Sequence, residues 1–356
     1  MSFNIEQLKN VLVLMPDKHM GELVLSLSAI NSLKEFFKDK NIFIVVDSAY
    51  SEIIEAVDGL NNVLFYPRKL FNKETFIKQL AIQFDFMRQL RSTSPDIAID
   101  LHGGVASSTM TFMSGASLRV GRTSAKRAFL YNMKVDPLKG KHKIHSYFGI
   151  ASAVGCQSKA GIYRLTATES KRTALKNILL KEGIAVEKPI ICIHPVAGRI
   201  FKEWIPEGFA EIANWLASEG FQVVFIGSSG DAEKIHEIKN ITKHKTYNFA
   251  GEISLGELIA LFEISSLYIG NDSGPMHLAS AVGTLPIIGL FFRPGSDKSW
   301  APLSEKSIIL KGDTDCQKCK RNDCQYDFKC TKTISPDNVK AAIKRLINSS
   351  PQRTQR

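Results

Sequence analysis

The segment from Tyr268 to Phe291 constrains the fold of this chain more than any other part of the sequence. It reads YIGNDSGPMHLASAVGTLPIIGLF, the pattern of a strand, a tight turn, a helix and a second strand. The Asn-Asp-Ser run at 271–273 consists of residue types that cap helix starts, and Pro275 fits the first helical position, where no amide hydrogen is missed. The segment therefore predicts a strand–helix–strand unit of an α/β fold.

The turn inside this segment has the features of an anion site. Gly274 lets a ligand approach the backbone closely, and His277 falls in the first helical turn, near the free amides and the positive end of the helix dipole. A helix that starts at the carboxyl end of a strand is a common phosphate cradle. An ordinary strand-to-helix connection without a ligand is the alternative that the pattern alone leaves open.

Short apolar runs alternate with helical patterns along most of the chain. Predicted strands in the first half cover residues 10–16, 41–47, 62–67, 96–104 and 117–122, and the alternation restarts at residue 189. Such alternation predicts parallel, doubly wound sheets in two Rossmann-like domains. We place an N-terminal acceptor-binding domain at 1–182, a C-terminal nucleotide-sugar-binding domain at 183–334, and a C-terminal helix with a frayed tail at 335–356. That helix could pack back onto the first domain.

Length and composition agree with a globular protein of two domains. The chain has 356 residues, 44% of them hydrophobic and 23% charged. No apolar run approaches the roughly 18 residues that cross a bilayer. Its start, MSFNIEQLKN, lacks the basic region of a signal peptide. We therefore expect a cytoplasmic protein.

The formal net charge of +11 predicts an acidic partner, and the charge is concentrated in one segment. Residues 119–143 contain eight Lys or Arg and one acid, Asp136. Nucleic acid, anionic lipid headgroups and phosphorylated glycolipids would all be attracted, although the sequence lacks nucleic-acid-binding signatures, so no nucleic acid is expected. A solvated basic face without a specific partner is the alternative.

The string DSGPMHLASAVGTLP at 272–286 closely resembles the signature of glycosyltransferase family 9, the bacterial lipopolysaccharide heptosyltransferases. The resemblance extends over about residues 10–345. It implies the GT-B architecture, in which two Rossmann-like domains face each other across a cleft. It also implies inverting transfer without a metal or cofactor. The implied donor is ADP-L-glycero-β-D-manno-heptose, and the implied acceptor is the inner core of lipopolysaccharide at the anionic inner face of the inner membrane.

The resemblance also assigns residues to the donor. Its nucleotide-sugar diphosphate would lie on Asp272, Ser273, Gly274 and His277. In HPVAGRIFKEWIP (194–206), Lys202 matches a family lysine that precedes a Trp-x-Pro helix start and would neutralise the leaving diphosphate. Arg199 is a second candidate for this role, and simple loop solvation is the alternative for Lys202.

A third donor position lies in the glycine-containing turn IGSSGDAEK (226–234). The family has an acid here that bonds the ribose hydroxyls. Asp231 aligns best with it, and Glu233 is the alternative.

On the acceptor side, Glu22 takes the place of an Asp that serves the family as catalytic base. The glutamate is one methylene longer, and it could accept a proton from a sugar hydroxyl. A helix-start acid that complements the dipole is the alternative. Further acceptor contacts are predicted from the loop after the first strand and from DLHGGVASS (100–108), namely Asp17, Lys18, His19, Asp100 and His102. His145 matches another recurrent family position, where a structural histidine is equally consistent.

Four cysteines follow the last predicted core strand in a C-x2-C-x4-C-x5-C pattern, Cys316, Cys319, Cys324 and Cys330. This spacing allows a structural zinc site. The family often has a comparable C-terminal cysteine cluster and does not need a metal for catalysis. Disulfides are disfavoured in a cytoplasmic chain.

Three other functions remain open at this point. Because Glu22 departs from the family acid, the chain could be a catalytically silent relative that only binds a sugar nucleotide. A family member that uses another nucleotide sugar, or a sugar-nucleotide epimerase of the same shape, is also consistent with the motifs.

Overall fold

The computed structural model describes residues 5–71, 74–136, 142–292, 294–313, 324 and 327–349. The chain divides into two compact units, Met1–Tyr163 and Arg164–Arg356. The boundary therefore lies ahead of the helix Glu169–Glu182, and not after residue 182 as the sequence suggested. That helix packs on the helix Leu255–Ile264 of the second unit.

The first unit alternates strands and helices from its start. Its elements are β1 (Asn10–Met15), α1 (Met20–Phe36), β2 (Asn41–Asp47), α2 (Ser51–Glu55), β3 (Val63–Tyr66), α3 (Arg68–Phe71), α4 (Phe76–Ser92), β4 (Ile97–Asp100), α5 (Val105–Met113), β5 (Leu118–Arg122), β6 (Met133–Val135) and α6 (Ile144–Ala153).

These strands form a parallel six-stranded sheet in the order β3-β2-β1-β4-β5-β6. The central strand β1 pairs with β2 on one side and β4 on the other, and its residues Val11 to Met15 have no exposed surface. Continuous apolar strands are what a parallel sheet covered on both faces requires. Residues from α4 and α5 cover one face, where Phe86, Leu90 and Met110 pack on Leu12 and Leu14.

The second unit repeats this construction. Its elements are α7 (Glu169–Glu182), β7 (Ile190–His194), α8 (Pro206–Ser218), β8 (Gln222–Phe225), α9 (Ala232–Asn240), β9 (Tyr247–Asn248), α10 (Leu255–Ile264), β10 (Leu267–Asn271), α11 (Gly274–Val282), β11 (Ile287–Phe291), α12 (Ser296–Trp300), β12 (Ser307–Lys311) and α13 (Pro336–Ser349). The strand order is β12-β11-β10-β7-β8-β9, again all parallel.

Counted from the first strand of each unit, both sheets have the order 3-2-1-4-5-6 of the Rossmann fold. The predicted fold class is therefore confirmed for each unit. The predicted strand–helix–strand segment corresponds to β10, α11 and β11.

The C-terminal helix α13 belongs to the second unit. Val339, Ile343 and Leu346 lie in the core that α8 and the second sheet form, and Lys340 Nζ lies 2.7 Å from a carboxylate oxygen of Glu211 on α8. The structure thus accounts for the apolar stripe of this helix within its own unit, where the sequence had allowed packing on the first domain. Within the ranges described above, no helix is both long and apolar enough to cross a bilayer.

Candidate active site

Each sheet has a switch point where the strand order reverses. It lies between β1 and β4 in the first unit and between β7 and β10 in the second. The connections that follow such neighbouring strands run to opposite faces of the sheet and leave a crevice at their carboxyl ends, where ligands of this fold class bind. Most of the residues that the sequence nominated follow these four strands.

In the first unit, Asp17 and His102 connect the two sides of the switch point. Asp17 follows β1 and is 3% exposed, whereas His102 follows β4. The Asp17 carboxylate lies 2.8 Å from Nδ1 of His102 and 2.8 Å from Nδ1 of His19. Burial alone would raise the pKa of the Asp17 carboxyl, but hydrogen bonds with His102 and His19 outweigh it and hold the pKa far below its usual range. Asp17 is thus an ionised anchor for two histidines.

The exposed members of the β1 loop are Lys18 and His19. The His19 side chain is 67% exposed, and the Lys18 carbonyl accepts a hydrogen bond from the Tyr50 hydroxyl. This bond fixes the backbone of the loop while both side chains remain available to a ligand.

Asp100, in contrast, has no exposed surface. Its Oδ1 accepts hydrogen bonds from the backbone amides of His102 (2.9 Å) and Gly103 (2.8 Å), and its Oδ2 accepts one from the Tyr131 hydroxyl. Burial raises the pKa of this carboxyl. The side chain therefore supports the glycine turn that carries His102, and it contacts that turn where the sequence had predicted contact with the acceptor.

Glu22 occupies the first turn of α1 and is held by α6. The Tyr147 hydroxyl donates a hydrogen bond to Glu22 Oε2, and Lys143 Nζ lies 3.2 Å from the same oxygen. Burial, followed by the Glu22 charge, raises the pKa of Tyr147 well above its usual value, so the hydroxyl remains a donor. The carboxyl group is therefore oriented by a neutral donor and a cation.

Lys143 and Tyr147 were not nominated as site residues from the sequence. Their spacing of four places them on one side of a helix, which is the signal that could have found them. The family position in this helix, His145, is half-buried in its first turn.

In the second unit, Lys202 and Asp272 connect the switch point. Lys202 lies in the short 3-10 turn Ile200–Lys202 after β7, and Asp272 lies between β10 and α11. Lys202 Nζ is 2.7 Å from Asp272 Oδ2. The Asp272 side chain is 5% exposed and the Lys202 side chain 22% exposed, so the pair is largely screened from solvent. This arrangement brings a cation to the start of α11.

Helix α11 begins at Gly274, and Ser273 is its N-cap residue with an extended backbone. Pro275 has no backbone N–H, so the amides that this first turn can offer to a ligand are those of its neighbours in the turn. His277 is buried in the helix, and its ring lies edge-on to Trp300 at a centroid distance of 6.0 Å. The helix thus begins one residue before Pro275, the predicted first helical position, and His277 has an aromatic contact.

Asn271 fixes the loop that carries Lys202. Its side chain accepts a hydrogen bond from the Trp204 backbone amide (3.0 Å) and donates one to the Pro195 carbonyl (2.8 Å). The buried Trp204 indole in turn donates to the Ile334 carbonyl at 3.0 Å. The sequence identified Asn271 only as a capping residue type, since partners 76 and 67 residues away leave no local pattern.

His194, at the end of β7, lies beside the N-cap of α11. Its Nδ1 is 3.0 Å from Ser273 Oγ. Burial lowers the pKa of His194 to about 4, against a smaller opposing effect of Asp231. His194 is therefore neutral at pH 7 and positions Ser273.

The remaining donor candidates are tied less closely to the switch point. Asp231 Oδ2 accepts hydrogen bonds from the Ser228 amide (2.8 Å) and hydroxyl (2.6 Å), which closes the turn before α9. Arg199 is exposed, and its guanidinium lies 6.0 Å from the centroid of the Phe201 ring. Arg199 lies on the loop after β7, and Asp231 lies on the loop after β8.

The cysteine cluster is only partly described. Cys316 and Cys319 lie outside the described residues, so the zinc hypothesis for these two with Cys324 and Cys330 stays a prediction. In the portion of the chain that the structure covers, no group of three or more His, Cys, Asp or Glu side chains could hold a metal ion.

Two Rossmann-like units with this strand order are the architecture of GT-B glycosyltransferases. The model of glycosyltransferase family 9 (heptosyltransferase) matches residues 83–329 of this chain. The chain belongs to this family.

Similar proteins agree over nearly the whole length. The chain is 23% identical over 339 residues to a lipopolysaccharide heptosyltransferase 3 of Escherichia coli, covering 93% of this chain and 97% of the relative. Two solved structures share the fold at 21% identity, each with 96% of this chain and 98% of the other covered. They are a family 9 glycosyltransferase from Veillonella parvula, with a TM-score of 0.82, and the E. coli ADP-heptose lipopolysaccharide heptosyltransferase II, with a TM-score of 0.78.

Proposed function

We propose that this glycosyltransferase moves a heptose from ADP-L-glycero-D-manno-heptose to the inner core of lipopolysaccharide, with inversion at the anomeric carbon. The names of similar proteins support the sugar and the acceptor class. The observation that carries the proposal is the placement of Lys202 beside the start of α11, 2.7 Å from Asp272. A cation at a helix N-terminus suits a nucleotide diphosphate.

The donor diphosphate would bind at the turn Asp272–Gly274. The backbone amides at the start of α11 and the positive end of its dipole would face the phosphate oxygens. Lys202 would stabilise the negative charge that grows on the diphosphate as the bond to the sugar breaks. The ion pair with the buried Asp272 carboxylate holds the Lys202 ammonium group in place.

The acceptor hydroxyl would be activated by Glu22. Because both the Tyr147 and the Lys143 contacts reach Oε2, we assign Oε1 to accept the proton. The hydroxyl oxygen then bonds to the anomeric carbon while the bond from that carbon to the diphosphate breaks, and ADP departs with the bonding electrons. The exposed side chains of Lys18 and His19 and the partly buried side chain of His102 would contact the acceptor sugars or their phosphates.

We also propose a place for the reaction, in the cytoplasm beside the anionic inner membrane. The basic segment 119–143 supports this, because its lysines and arginines would attract lipid A phosphates and acidic headgroups.

One experiment separates the proposed function from its alternatives. The purified chain is incubated with ADP-heptose and a lipopolysaccharide core that lacks the accepting heptose, and the product is analysed by mass and by the anomeric configuration of the new bond. We expect addition of one heptose with inversion, and no transfer from UDP- or GDP-sugars.

Other results would contradict the proposal in distinct ways. Binding of ADP-heptose without transfer to any core acceptor would indicate a silent relative, the alternative raised by Glu22. Conversion of the donor when no acceptor is present would indicate an epimerase. A thermal shift with UDP- or GDP-sugars but not with ADP-sugars would show that the donor carries a different nucleotide.

A further inference from the structure

Helix α4 has an apolar face that the fold does not use. Its buried side chains, Phe86 and Leu90, pack in the core of the first sheet. A helix that covers a sheet needs one apolar stripe. Four further large apolar side chains of α4 are exposed, Phe76 (73%), Ile77 (79%), Leu80 (50%) and Phe84 (70%). We call these four residues the α4 outer face.

The four residues form a continuous stripe. Since successive helical residues are turned by about 100°, these positions fall within an arc of about 100° that does not include Phe86 or Leu90. Met87, later in the helix, falls in the same arc but packs against the core, so the exposed stripe covers only residues 76–84. The same arc continues toward the end of the helix with Arg91 and, at its edge, Arg88, whose side chain is 75% exposed. The α4 outer face is thus an apolar stripe that ends in cations.

The neighbouring elements extend this character. Arg91 Nε donates to the Met113 carbonyl at 2.9 Å, which ties α4 to α5, and Arg127 Nη1 donates to Thr109 Oγ1 at 2.6 Å, which ties α5 to the turn after β5. Phe112 on α5 is 53% exposed, and Phe129 in that turn is 76% exposed. Exposed aromatic rings therefore recur beside arginines on the same side of the sheet.

The charge around this surface identifies its occupant. Residues 68–92 contain six Lys or Arg and two acids, and residues 105–135 contain five Lys or Arg and no acid. A second copy of the chain would bring like charges together, which opposes pairing through this face. Aliphatic side chains at 77 and 80 offer nothing to nucleic-acid bases, which bind proteins by stacking on aromatic rings and by hydrogen bonds. An anionic bilayer satisfies both the apolar stripe and the cations.

We propose that the α4 outer face is a docking surface for an anionic phospholipid membrane. The helix lies in the plane of the interface, with Phe76, Ile77, Leu80 and Phe84 between the headgroups and the upper acyl chains. Arg88 and Arg91, which are exposed on the same arc, contact lipid phosphates. This surface adds insertion of apolar side chains to the electrostatic attraction of the segment 119–143, and it does not depend on the identity of the sugar substrates.

The test is sedimentation of the full chain with vesicles, in the absence of any nucleotide sugar. Vesicles of phosphatidylglycerol and phosphatidylethanolamine are compared with vesicles of phosphatidylcholine alone. The double variant Ile77→Ser/Phe84→Ser should lower the partition coefficient on anionic vesicles at least about tenfold, because two large side chains no longer enter the bilayer. Arg88→Glu should weaken binding several-fold at low salt and less at high salt.

A matched control is Leu180→Ser/Ile241→Ser, which removes two exposed apolar side chains of the second unit, 67% and 48% exposed. Its partition coefficient should equal that of the unchanged chain. Equal binding by the two double variants would overturn the proposal. Loss of a dimer, rather than of vesicle binding, in Ile77→Ser/Phe84→Ser on sedimentation velocity would also overturn it and assign the face to a second copy. Failure of sugar transfer would leave the result of this vesicle assay unaffected.

Discussion

At the switch point of each unit, an acidic side chain contacts a basic side chain, and the two units place these residue types on opposite strands. In the first unit the loop after the first strand supplies the acid, Asp17, and the loop after the fourth strand supplies His102, 2.8 Å away. In the second unit the first loop supplies the cation, Lys202, and the fourth-strand turn supplies Asp272, 2.7 Å away.

What stands beside each pair differs in chemistry. Beside Asp17 and His102 is the carboxylate of Glu22, held by α6. Beside Lys202 and Asp272 is the amino end of α11, with its free amides. Under the proposed function, one strand order provides a proton acceptor in the first unit and an anion receptor in the second, and side chains on two loops decide which. The predictions below test this division, from the largest expected effect to the smallest.

Glu22→Gln should remove the proton acceptor alone. We expect kcat to fall about 10²- to 10⁴-fold, because general base catalysis is lost while the donor turn is intact. Affinity for ADP, measured by calorimetry, should stay within a factor of two. The control is Glu35→Gln on the same helix, at an exposed position, and equal losses of transfer and ADP binding in Glu22→Gln would remove Glu22 from this role.

Lys202→Ala should impair the anion receptor. The expected fall in kcat is about 10²- to 10³-fold, since stabilisation of the departing diphosphate is lost. ADP binding should weaken as well, in contrast to Glu22→Gln. Lys340→Ala breaks an ion pair of the same 2.7 Å length elsewhere in the second unit and should leave both quantities unchanged. An ADP affinity that is unaltered in Lys202→Ala would contradict the division.

His194 should give the second unit a pH-dependent stability. Because burial lowers its folded-state pKa from 6.5 to about 4, the unfolded chain binds the proton first, and stability falls as pH decreases through this range. The lowered pKa of His194 should reduce the free energy of unfolding by up to about 3 kcal/mol as the pH falls from 7 to 4. Denaturant titrations between pH 7 and 4 should show a smaller decrease for His194→Asn than for the unchanged chain.

Exposed His244 provides the control for that series. His244→Asn should keep the full pH dependence of the unchanged chain. If His194→Asn also kept it, His194 would not be the titrating group.

Tyr147→Phe should have the smallest effect, since it removes one hydrogen bond to Glu22 and keeps Lys143. We expect kcat to fall about tenfold and KM for the acceptor to change little, because one hydrogen bond that orients the Glu22 carboxylate is lost. Tyr247→Phe, which removes the hydroxyl of a buried tyrosine in the second unit, is the control. An unchanged kcat in Tyr147→Phe would reduce Tyr147 to a packing role.

The sequence predicted the fold class and the family correctly, because both depend on local patterns. Apolar runs, helix starts and the turn at 271–274 are encoded within a few neighbouring residues. The same holds for the strands that carry the site, since β1, β4, β7 and β10 are continuous apolar runs.

Features that depend on distant partners were missed. Tyr147 and Glu22 are 125 residues apart in sequence, and Asn271 holds a loop about seventy residues earlier. Asp100 was predicted to contact the acceptor from its resemblance to a family segment. Its complete burial could not be seen in the sequence. The three-residue strand β6, too short to show alternation, was also not predicted.

Each sheet is built only from strands of its own unit, which has a consequence for synthesis on the ribosome. All strands from β1 to β6 precede residue 164. The leading half of a nascent chain therefore has every pairing partner it needs before the trailing half emerges, and it can complete its hydrogen-bonded layer without waiting. Premature termination near that point should release a fragment that resists proteolysis, whereas termination within β4 or β5 should release one that is degraded.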